Sequence, residues 1–168
     1  QIAKIMGMDG RIGKYFLHPG PGYGGSCFPK DVSALVHLAD SVGYDYKLGR
    51  AVNAVNTFQR EKVIHVLRSF FSSGLKSKTI AVLGLSFKPE TDDIREAPSL
   101  DIIQHLLKLG VSVRTYDPVA MENASKVLSG DNICFCKDAT ETAKGADALL
   151  LMTEWNQFRE MNLDVIRD

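Results

Sequence analysis

The chain has 168 residues, enough for one domain or two small ones, and its 20 basic and 20 acidic residues give a formal net charge of zero. This balance argues against a nucleic-acid-binding surface and against a polybasic membrane-binding surface. No apolar run reaches the length of a transmembrane helix, and no signal peptide is visible. The three cysteines follow no disulfide framework, so we expect a reducing compartment and a cytoplasmic location.

The first part of the chain is predicted to be helical. Residues 1–8 have the pattern of a helix end, and a second helix is expected over 30–42, where apolar residues recur at three- and four-residue spacing. A longer helix with an apolar stripe along one side is predicted over 48–71. The polar, glycine-containing segment 72–78 marks a boundary, so we expect a helical central domain over residues 1–73.

Beyond this boundary, apolar strand patterns alternate with helical patterns. Strands are expected at 79–83, 111–116, 133–136 and 148–152, with helices at 98–109, 121–128 and 140–144. Alternation at this spacing predicts βαβ units and a parallel sheet. The chain is therefore expected to be an α/β protein in which a helical region precedes a small Rossmann-like domain over residues 78–168.

The stretch GPGYGGSCFPKD at residues 20–31 concentrates the side chains that suggest chemistry. Its glycines allow a close approach of backbone to a ligand, and Pro29 suits the first turn of a helix. Cys27 would then lie at a helix N-terminus beside Lys30, and both features favour a thiolate. Asp31, one helical turn later, could orient a water or a proton donor near the sulfur. From the residues alone, a small buried packing cysteine is the alternative.

The second notable stretch is VLGLSFKPETDDIRE at residues 82–96, which follows the first predicted strand. Ligands of parallel sheets bind beyond the carboxyl ends of the strands, so this loop is a candidate binding segment. No Gly-x-Gly-x-x-Gly follows the strand, and we expect no dinucleotide fingerprint in the chain. Lys88 and Arg95 could instead bind anionic groups through their side chains. A solvated loop in which Asp92 and Asp93 balance these cations is the alternative.

Two further features have simpler interpretations. Asp117 follows the second predicted strand, where a ribose-binding acid could lie, but Pro118 comes next and we interpret Asp117 as a turn residue. Cys134 and Cys136 have no nearby ligand partners in the sequence, so we expect buried packing and no metal site. Trp155 is expected to pack or to border the candidate binding site.

The two notable stretches resemble signatures of the UDP-glucose/GDP-mannose dehydrogenase family. GPGYGGSCFPKD is similar to that family's catalytic-cysteine motif, and VLGLSFKPETDDIRE is similar to the opening of its C-terminal domain. The motifs occur in the family's order, and the resemblance covers essentially the whole chain. The Tyr23 loop and the Phe-Pro-Lys-Asp ending look most like the members that act on UDP-glucose.

This resemblance implies an NAD-dependent enzyme of nucleotide-sugar metabolism that oxidises a primary alcohol to a carboxylate, converting UDP-glucose to UDP-glucuronate for polysaccharide biosynthesis. An aldehyde forms first, and Cys27 adds to it as a thiohemiacetal that is then oxidised to a thioester. Asp31 would assist the water that hydrolyses the thioester. Lys30 would orient the loop or the cofactor.

The resemblance also implies the binding residues. Arg11 would reach the substrate of a neighbouring subunit, although the residue alone could be a solvated arginine at a helix exit. The other substrate-binding residues would be Phe16, Leu17, Tyr23, Gly24, Phe87 and Lys88. Arg95 and Cys27 would contact NAD. From the residues alone, Phe16 and Leu17 could equally anchor the loop in a core.

A homodimer through the long helix is a further implication of the resemblance. The family's NAD domain, its oxyanion-stabilising lysine and asparagine and a sugar-contacting arginine segment would lie outside these residues, so we expect the chain alone to be inactive. Two alternatives stay open. One is a dehydrogenase of GDP-mannose or another nucleotide-sugar, and the other is a non-catalytic nucleotide-sugar-binding or dimerisation module.

Overall fold

A computed structural model describes residues 1–15 and 17–162 of the chain. The first part is helical, with α1 over Ile2–Met6, α2 over Phe28–Ser41 and α3 over Lys47–Phe70. The predicted bounds of α2 and α3 differ from the observed ones by no more than about two residues, the usual uncertainty at helix ends. Cys27 is the N-cap residue of α2, and Pro29 lies in its first turn.

The second part alternates strands and helices. They are β1 Thr79–Leu83, α4 Pro98–Lys108, β2 Ser112–Tyr116, α5 Met121–Val127, β3 Ile133–Phe135, α6 Ala139–Ala143, β4 Ala148–Leu151 and α7 Asn156–Arg159. The strands form a parallel sheet in the order β3-β2-β1-β4, and Ile80 pairs with Val113 on one side and with Ala148 on the other. The predicted α/β fold with a small Rossmann-like parallel sheet is confirmed.

Helices cover both faces of this sheet. On one face, Ile80 of β1 packs in the same core as Ile103 of α4. On the other face, Leu83 packs with Trp155, whose predicted packing role is confirmed. Because the sheet is covered twice, residues 80–83 are apolar in succession and are at most 1% exposed.

The long helix α3 packs against both parts of the chain. Ile64 and Leu67 enter the core that contains α4, and the N-terminal half of α3 packs against α2. The apolar stripe predicted along α3 lies on a different face, which is exposed. Its exposed members are Leu48, Val52, Val55, Phe58, Val66 and Phe70. The division into domains at residues 1–73 and 78–168 stays a prediction.

The sheet has its topological switch point between β1 and β4. The chain runs outward from β1 to β2 and β3 on one side and reaches β4 on the other, and ligand crevices of such sheets open at this point. Gly84, directly after β1, has φ +93°, and a Cβ there would lie 2.5 Å from the Thr153 backbone. A glycine therefore allows the two strand ends to meet at the switch point.

Within residues 1–15 and 17–162, no helix is long and apolar enough to cross a lipid bilayer. The same residues contain no group of three or more His, Cys, Asp or Glu side chains that could hold a metal ion. Cys136 is buried as predicted, and burial raises the pKa of its thiol. The prediction was wrong for Cys134, which is exposed on the edge strand β3.

Candidate functional site

The cysteine loop (residues 20–27) lies against the segment that follows β1. A Cβ at the buried Gly24 would lie only 2.3 Å from the carbonyl oxygen of Glu96. Gly25, at φ +85°, donates its backbone N–H to the carbonyl oxygen of Arg95 at 2.8 Å. Side chains at these two positions would separate the segments, so the contact depends on glycine.

The opposite side of the cysteine loop is held by α3. Asn56 accepts the N–H of Tyr23 at 2.7 Å and donates to its carbonyl oxygen at 3.1 Å. Arg60 donates to the carbonyl oxygens of Tyr23 and Glu96, each at 3.1 Å. Neither Asn56 nor Arg60 was predicted to have a role. Their four-residue spacing, which places two polar side chains on one face of the helix, is the signal that could have found them.

Cys27 is exposed at the start of α2. The Oγ of Ser26 lies 3.7 Å from its sulfur. Asp31 donates its backbone N–H to the carbonyl oxygen of Cys27 at 2.8 Å, so it follows one helical turn later, as predicted. The carboxylate of Asp31 lies 2.9 Å from Nζ of Lys30. A thiol, a cation and a carboxylate therefore occupy the first turn of this helix.

Two cations, Lys30 and Arg95, lie close enough to Cys27 for its charge to affect their pKa values. The pKa of Lys30 is raised, mainly by its hydrogen bond to Asp31 and less by the charge of Cys27. The pKa of Arg95 is raised mainly by its hydrogen bond to Asp93, again with a smaller contribution from Cys27. The same pairing lowers the pKa of Asp93. A negative charge on the sulfur would thus lie near two cations that are partly neutralised by aspartates.

A cavity of about 510 Å³ opens between the cysteine loop and the carboxyl ends of β1 and β4. Its walls include Phe87 after β1, Glu154 after β4 and Ser99 in the first turn of α4. This is the switch point of the sheet, and the volume lies within the usual range of ligand pockets. The cavity is therefore the best placed site for a ligand of the Rossmann-like domain.

A second cavity, of about 560 Å³, lies beside the start of α2. Its lining is Gly25, Ser26, Pro29, Lys30, Ser33, Arg95 and Glu96. Residues 20–22 of the cysteine loop border the first cavity, whereas residues 25 and 26 border this one. The two cations on its wall suit a ligand that carries negative charge.

The structure brings several of the predicted substrate-binding residues to this region. Phe87 lines the first cavity and lies against Gly25, where a Cβ would come within 2.7 Å of its ring. Lys88 is exposed, and its Nζ lies 5.3 Å from the centroid of the Phe87 ring. The ring of Tyr23 packs edge-to-face against Phe28, with centroids 6.1 Å apart.

Two other predicted substrate-binding residues, Arg11 and Leu17, do not line either cavity. Arg11 is exposed and bonds to Asp9, with Nη2 and Oδ2 2.6 Å apart. Leu17 is half-buried ahead of the cysteine loop. Phe16 lies outside the described residues, so its role and those of Arg11 and Leu17 stay predictions.

Asp117 is a fully buried carboxylate that supports the segment after β1. Oδ1 accepts the N–H groups of Val119 at 3.0 Å and Ala120 at 2.9 Å, which confirms the predicted turn. Oδ2 accepts the N–H of Leu85 at 2.7 Å and, each at 3.2 Å, the N–H and Oγ of Ser86 and Nε1 of Trp155. Asp117 therefore fixes the start of the binding segment as well as its own turn.

The expectation of no Gly-x-Gly-x-x-Gly in the chain was wrong as to spacing. Gly20, Gly22 and Gly25 have this spacing within the cysteine loop. No strand precedes them among the described residues, and the loop belongs to no βαβ unit. Since the fingerprint requires that unit, the spacing does not indicate a dinucleotide site of the usual kind. Of the three glycines, Gly25 contacts the segment after β1, and Gly22 lies against Asn56 of α3.

Comparison with known proteins identifies both parts of the chain. Residues 81–168 match the UDP binding domain of the UDP-glucose/GDP-mannose dehydrogenase family, and residues 1–58 match its central domain. The UDP-glucose 6-dehydrogenase of Pseudomonas aeruginosa is 46% identical over 99% of the chain, which covers 38% of that protein. The UDP-glucose 6-dehydrogenase of Bacillus subtilis is 45% identical over 97% of the chain, which covers 35% of that protein.

A solved structure of a relative supports the same family assignment. The UDP-glucose dehydrogenase from Pyrobaculum islandicum superimposes on 96% of the chain with a TM-score of 0.89 and 34% identity. The chain covers 37% of that structure, so it spans well under half the length of the relatives it matches. The two family domains match the chain in order, and the UDP binding domain alone covers more than half of the chain's residues. The chain therefore belongs to the UDP-glucose/GDP-mannose dehydrogenase family.

Proposed function

We propose that these residues form the central and UDP-binding parts of a dehydrogenase that oxidises UDP-glucose to UDP-glucuronate with NAD. The observation that carries this proposal is the contact between the cysteine loop and the segment after β1, through Gly24, Gly25 and Arg95. The loop that carries the candidate nucleophile Cys27 thus borders the ligand crevice of a Rossmann-like sheet through residues 20–22, while Cys27 itself does not line it. The similarity to UDP-glucose 6-dehydrogenases supports the choice of sugar nucleotide.

In this proposal Cys27 is the nucleophile of the second oxidation. The first oxidation converts the primary alcohol of the sugar to an aldehyde, and the Cys27 sulfur then bonds to the aldehyde carbon. The thiohemiacetal loses a hydride and becomes a thioester. Attack by water breaks the bond between carbon and sulfur, releases the carboxylate and restores the thiol. Asp31, one turn along α2, orients that water or accepts its proton.

The second cavity suits the cofactor. A bound NAD would accept one hydride in each oxidation, so two NAD molecules would be used in turn for each sugar. Lys30 and Arg95 on the cavity wall offer positive charge to its phosphates, and both lie near the thiol. The described residues offer these groups without a dinucleotide fingerprint, so further cofactor contacts would come from elsewhere in a full-length enzyme.

Alanine at Lys88 and at Arg95 tests the two binding assignments. In a full-length dehydrogenase that contains these 168 residues, Lys88→Ala should weaken UDP-glucose binding and Arg95→Ala should weaken NAD binding. Loss of one charge-assisted contact costs about 1.5–3 kcal/mol, roughly a 10- to 150-fold rise in Kd. Calorimetric titration with each ligand measures the effect.

Lys126→Ala is the control, because Lys126 is an exposed lysine on α5 that pairs with Glu122. Its two affinities should equal those of the unchanged enzyme. If Lys88→Ala and Arg95→Ala behave like this control, the segment after β1 is a solvated charge cluster with no binding role.

The exposed stripe of α3 supports a homodimer. Val55 and Phe58 are 57% and 54% exposed, and they belong to a row along the helix that is apolar except at Lys62. An exposed apolar face of this kind is typical of an interface, and a second copy can cover it by two-fold symmetry. Light scattering should give twice the mass of the chain, and Phe58→Glu should give the monomer mass.

The control for the dimer is Val127→Glu, because Val127 is 52% exposed at the end of α5 and away from the stripe. This variant should keep the dimer mass. A monomer mass for the unchanged chain, or a dimer that survives Phe58→Glu, would show that the stripe of α3 is not the interface.

A further inference from the structure

Arg60 is a mostly buried cation with partners on three different segments. Its side chain is 15% exposed, and it bonds to the carboxylate of Asp101 on α4. Its Nη2 also donates to the carbonyl oxygens of Tyr23 and Glu96. Burial of a guanidinium is costly unless its donors are used. Nη1 and Nη2 of Arg60 have partners, whereas Nε is buried without one, so the position of Arg60 under the cysteine loop depends on these three bonds.

The two carbonyl groups belong to the two segments that form the candidate site. Glu96 has φ +52°, a left-handed conformation that is uncommon for a residue other than glycine. The same carbonyl group faces Gly24, where a Cβ would lie 2.3 Å from its oxygen. A strained backbone of this type persists when surrounding contacts hold it, and Arg60 supplies one such contact.

The path from Arg60 to the thiol is short. Tyr23 is fixed by Arg60 and by both polar atoms of the Asn56 side chain. Two residues later, Gly25 is fixed by its hydrogen bond to Arg95, and Cys27 then caps α2. The loop that carries the sulfur is thus attached on one side to α3 and on the other to the segment after β1.

We propose that Arg60 is a positioning residue, which joins Tyr23 to Glu96 and thereby holds Cys27 at a fixed place relative to the nucleotide-binding segment. The inference rests on the proposed function of Cys27. A lysine cannot replace Arg60, because a single ammonium lacks the planar fork that reaches two carbonyl groups and a carboxylate together. A displacement of about 1 Å at a reacting group can cost roughly a hundredfold in rate.

Arg60→Lys, compared with Arg50→Lys, tests the attachment in the 168-residue chain itself. Arg50 lies on the same helix and pairs with Asp40 and Asp45, but it has no bond to the cysteine loop. Hydrogen exchange should become roughly tenfold faster at the Gly25 amide in Arg60→Lys, because local opening of that bond becomes easier. Arg50→Lys should exchange like the unchanged chain. Equal protection of Gly25 in both variants would overturn the proposal.

If Arg60→Lys does not fold, Asn56→Asp tests the same attachment. Aspartate keeps the acceptor for the Tyr23 N–H and removes the donor to the Tyr23 carbonyl group. The same loss of Gly25 protection is expected, with Asn53→Asp, one helical turn earlier, as its control. Unchanged protection in Asn56→Asp would likewise overturn the proposal.

Kinetics separate positioning from stability. In a full-length dehydrogenase that contains these residues, Arg60→Lys should lower kcat by roughly 10- to 100-fold and change the KM for UDP-glucose by less than about threefold. A loosened loop with an unchanged kcat would overturn the positioning role. Failure of the proposed function would give a different result. If the Cys27→Ser enzyme still formed the sugar acid, the proposed role of Cys27 would be wrong, but the faster exchange of the Gly25 amide in Arg60→Lys would still be observed.

Discussion

Replacing Cys27 with serine in a full-length dehydrogenase that contains these 168 residues should abolish net formation of the sugar acid and leave nucleotide-sugar binding intact. A serine hydroxyl is far harder to ionise than a thiol, so neither the addition to the aldehyde nor the acyl intermediate forms at a useful rate. The expected loss in acid formation is roughly a thousandfold or more. The uridine part of UDP-glucose would bind in the first cavity, at the switch point of the sheet. The Kd of UDP-glucose should therefore change by less than about threefold.

Cys134→Ser is the matched control for this experiment. Cys134 is also an exposed free cysteine, but it lies on β3, at the edge of the sheet away from β1 and β4. This variant should form the acid at the unchanged rate. Near-normal turnover in Cys27→Ser would reject the nucleophile, and loss of folding together with binding would assign Cys27 a structural role.

Replacing Asp117 with asparagine should be the most destabilising conservative change in the second part of the chain. One carboxylate oxygen accepts four hydrogen bonds and the other accepts two. An amide turns one of these oxygens into a donor, so at least two buried donors lose their acceptor. At about 1.5–3 kcal/mol for each bond to a charged group, the loss is about 3–6 kcal/mol.

Urea unfolding followed by the fluorescence of Trp155 measures this loss directly. Trp155 is the single tryptophan of the chain, and its indole N–H is one of the donors to Asp117. Asp131→Asn is the control, because Asp131 is exposed in a turn, and it should change stability by less than about 0.5 kcal/mol. Equal urea midpoints for the two variants would show that the buried hydrogen bonds of Asp117 do not support the segment after β1.

The contacts of Asp117 also show what sequence patterns can and cannot predict. Its bonds to Val119 and Ala120 span two and three residues, and such turns are written in the local sequence. Its bonds to Leu85 and Trp155 span 32 and 38 residues. They depend on how the strands are ordered in the sheet, which no local pattern encodes.

The helices and strands were predictable because their periodicity is local. For α3, the period predicted an apolar face, but the folded chain buries Ile64 and Leu67 on another side and leaves Phe58 exposed. The burial of Ile64 and Leu67 follows from the packing of α3 against the core that contains α4, a long-range contact that the periodicity of α3 alone does not show.

The parts of the candidate site that lie within one sequence motif were predictable. The parts that depend on contacts between residues far apart in the chain were not. Cys27 and Asp31 were placed correctly in the first turn of α2, because their spacing and Pro29 act locally. The bonds of Asn56 and Arg60 to Tyr23 span 33 and 37 residues, and no local sequence pattern predicted them. The loop that contains Cys27 is therefore encoded by one stretch of sequence, whereas the residues that hold this loop in place come from distant parts of the chain.

The amount of NADH formed with UDP-glucose and with GDP-mannose, measured side by side by absorbance in a full-length dehydrogenase that contains these residues, tests the proposed reaction most directly. Oxidation of an alcohol to a carboxylate removes two hydrides, so two NADH should form for each UDP-glucose consumed. GDP-mannose should give none, and neither should the 168-residue chain alone. The Cys27→Ser enzyme keeps the first oxidation, so it should form at most one NADH for each UDP-glucose and no UDP-glucuronate. A preference for GDP-mannose, or two NADH for each UDP-glucose in the absence of Cys27, would contradict the proposed reaction.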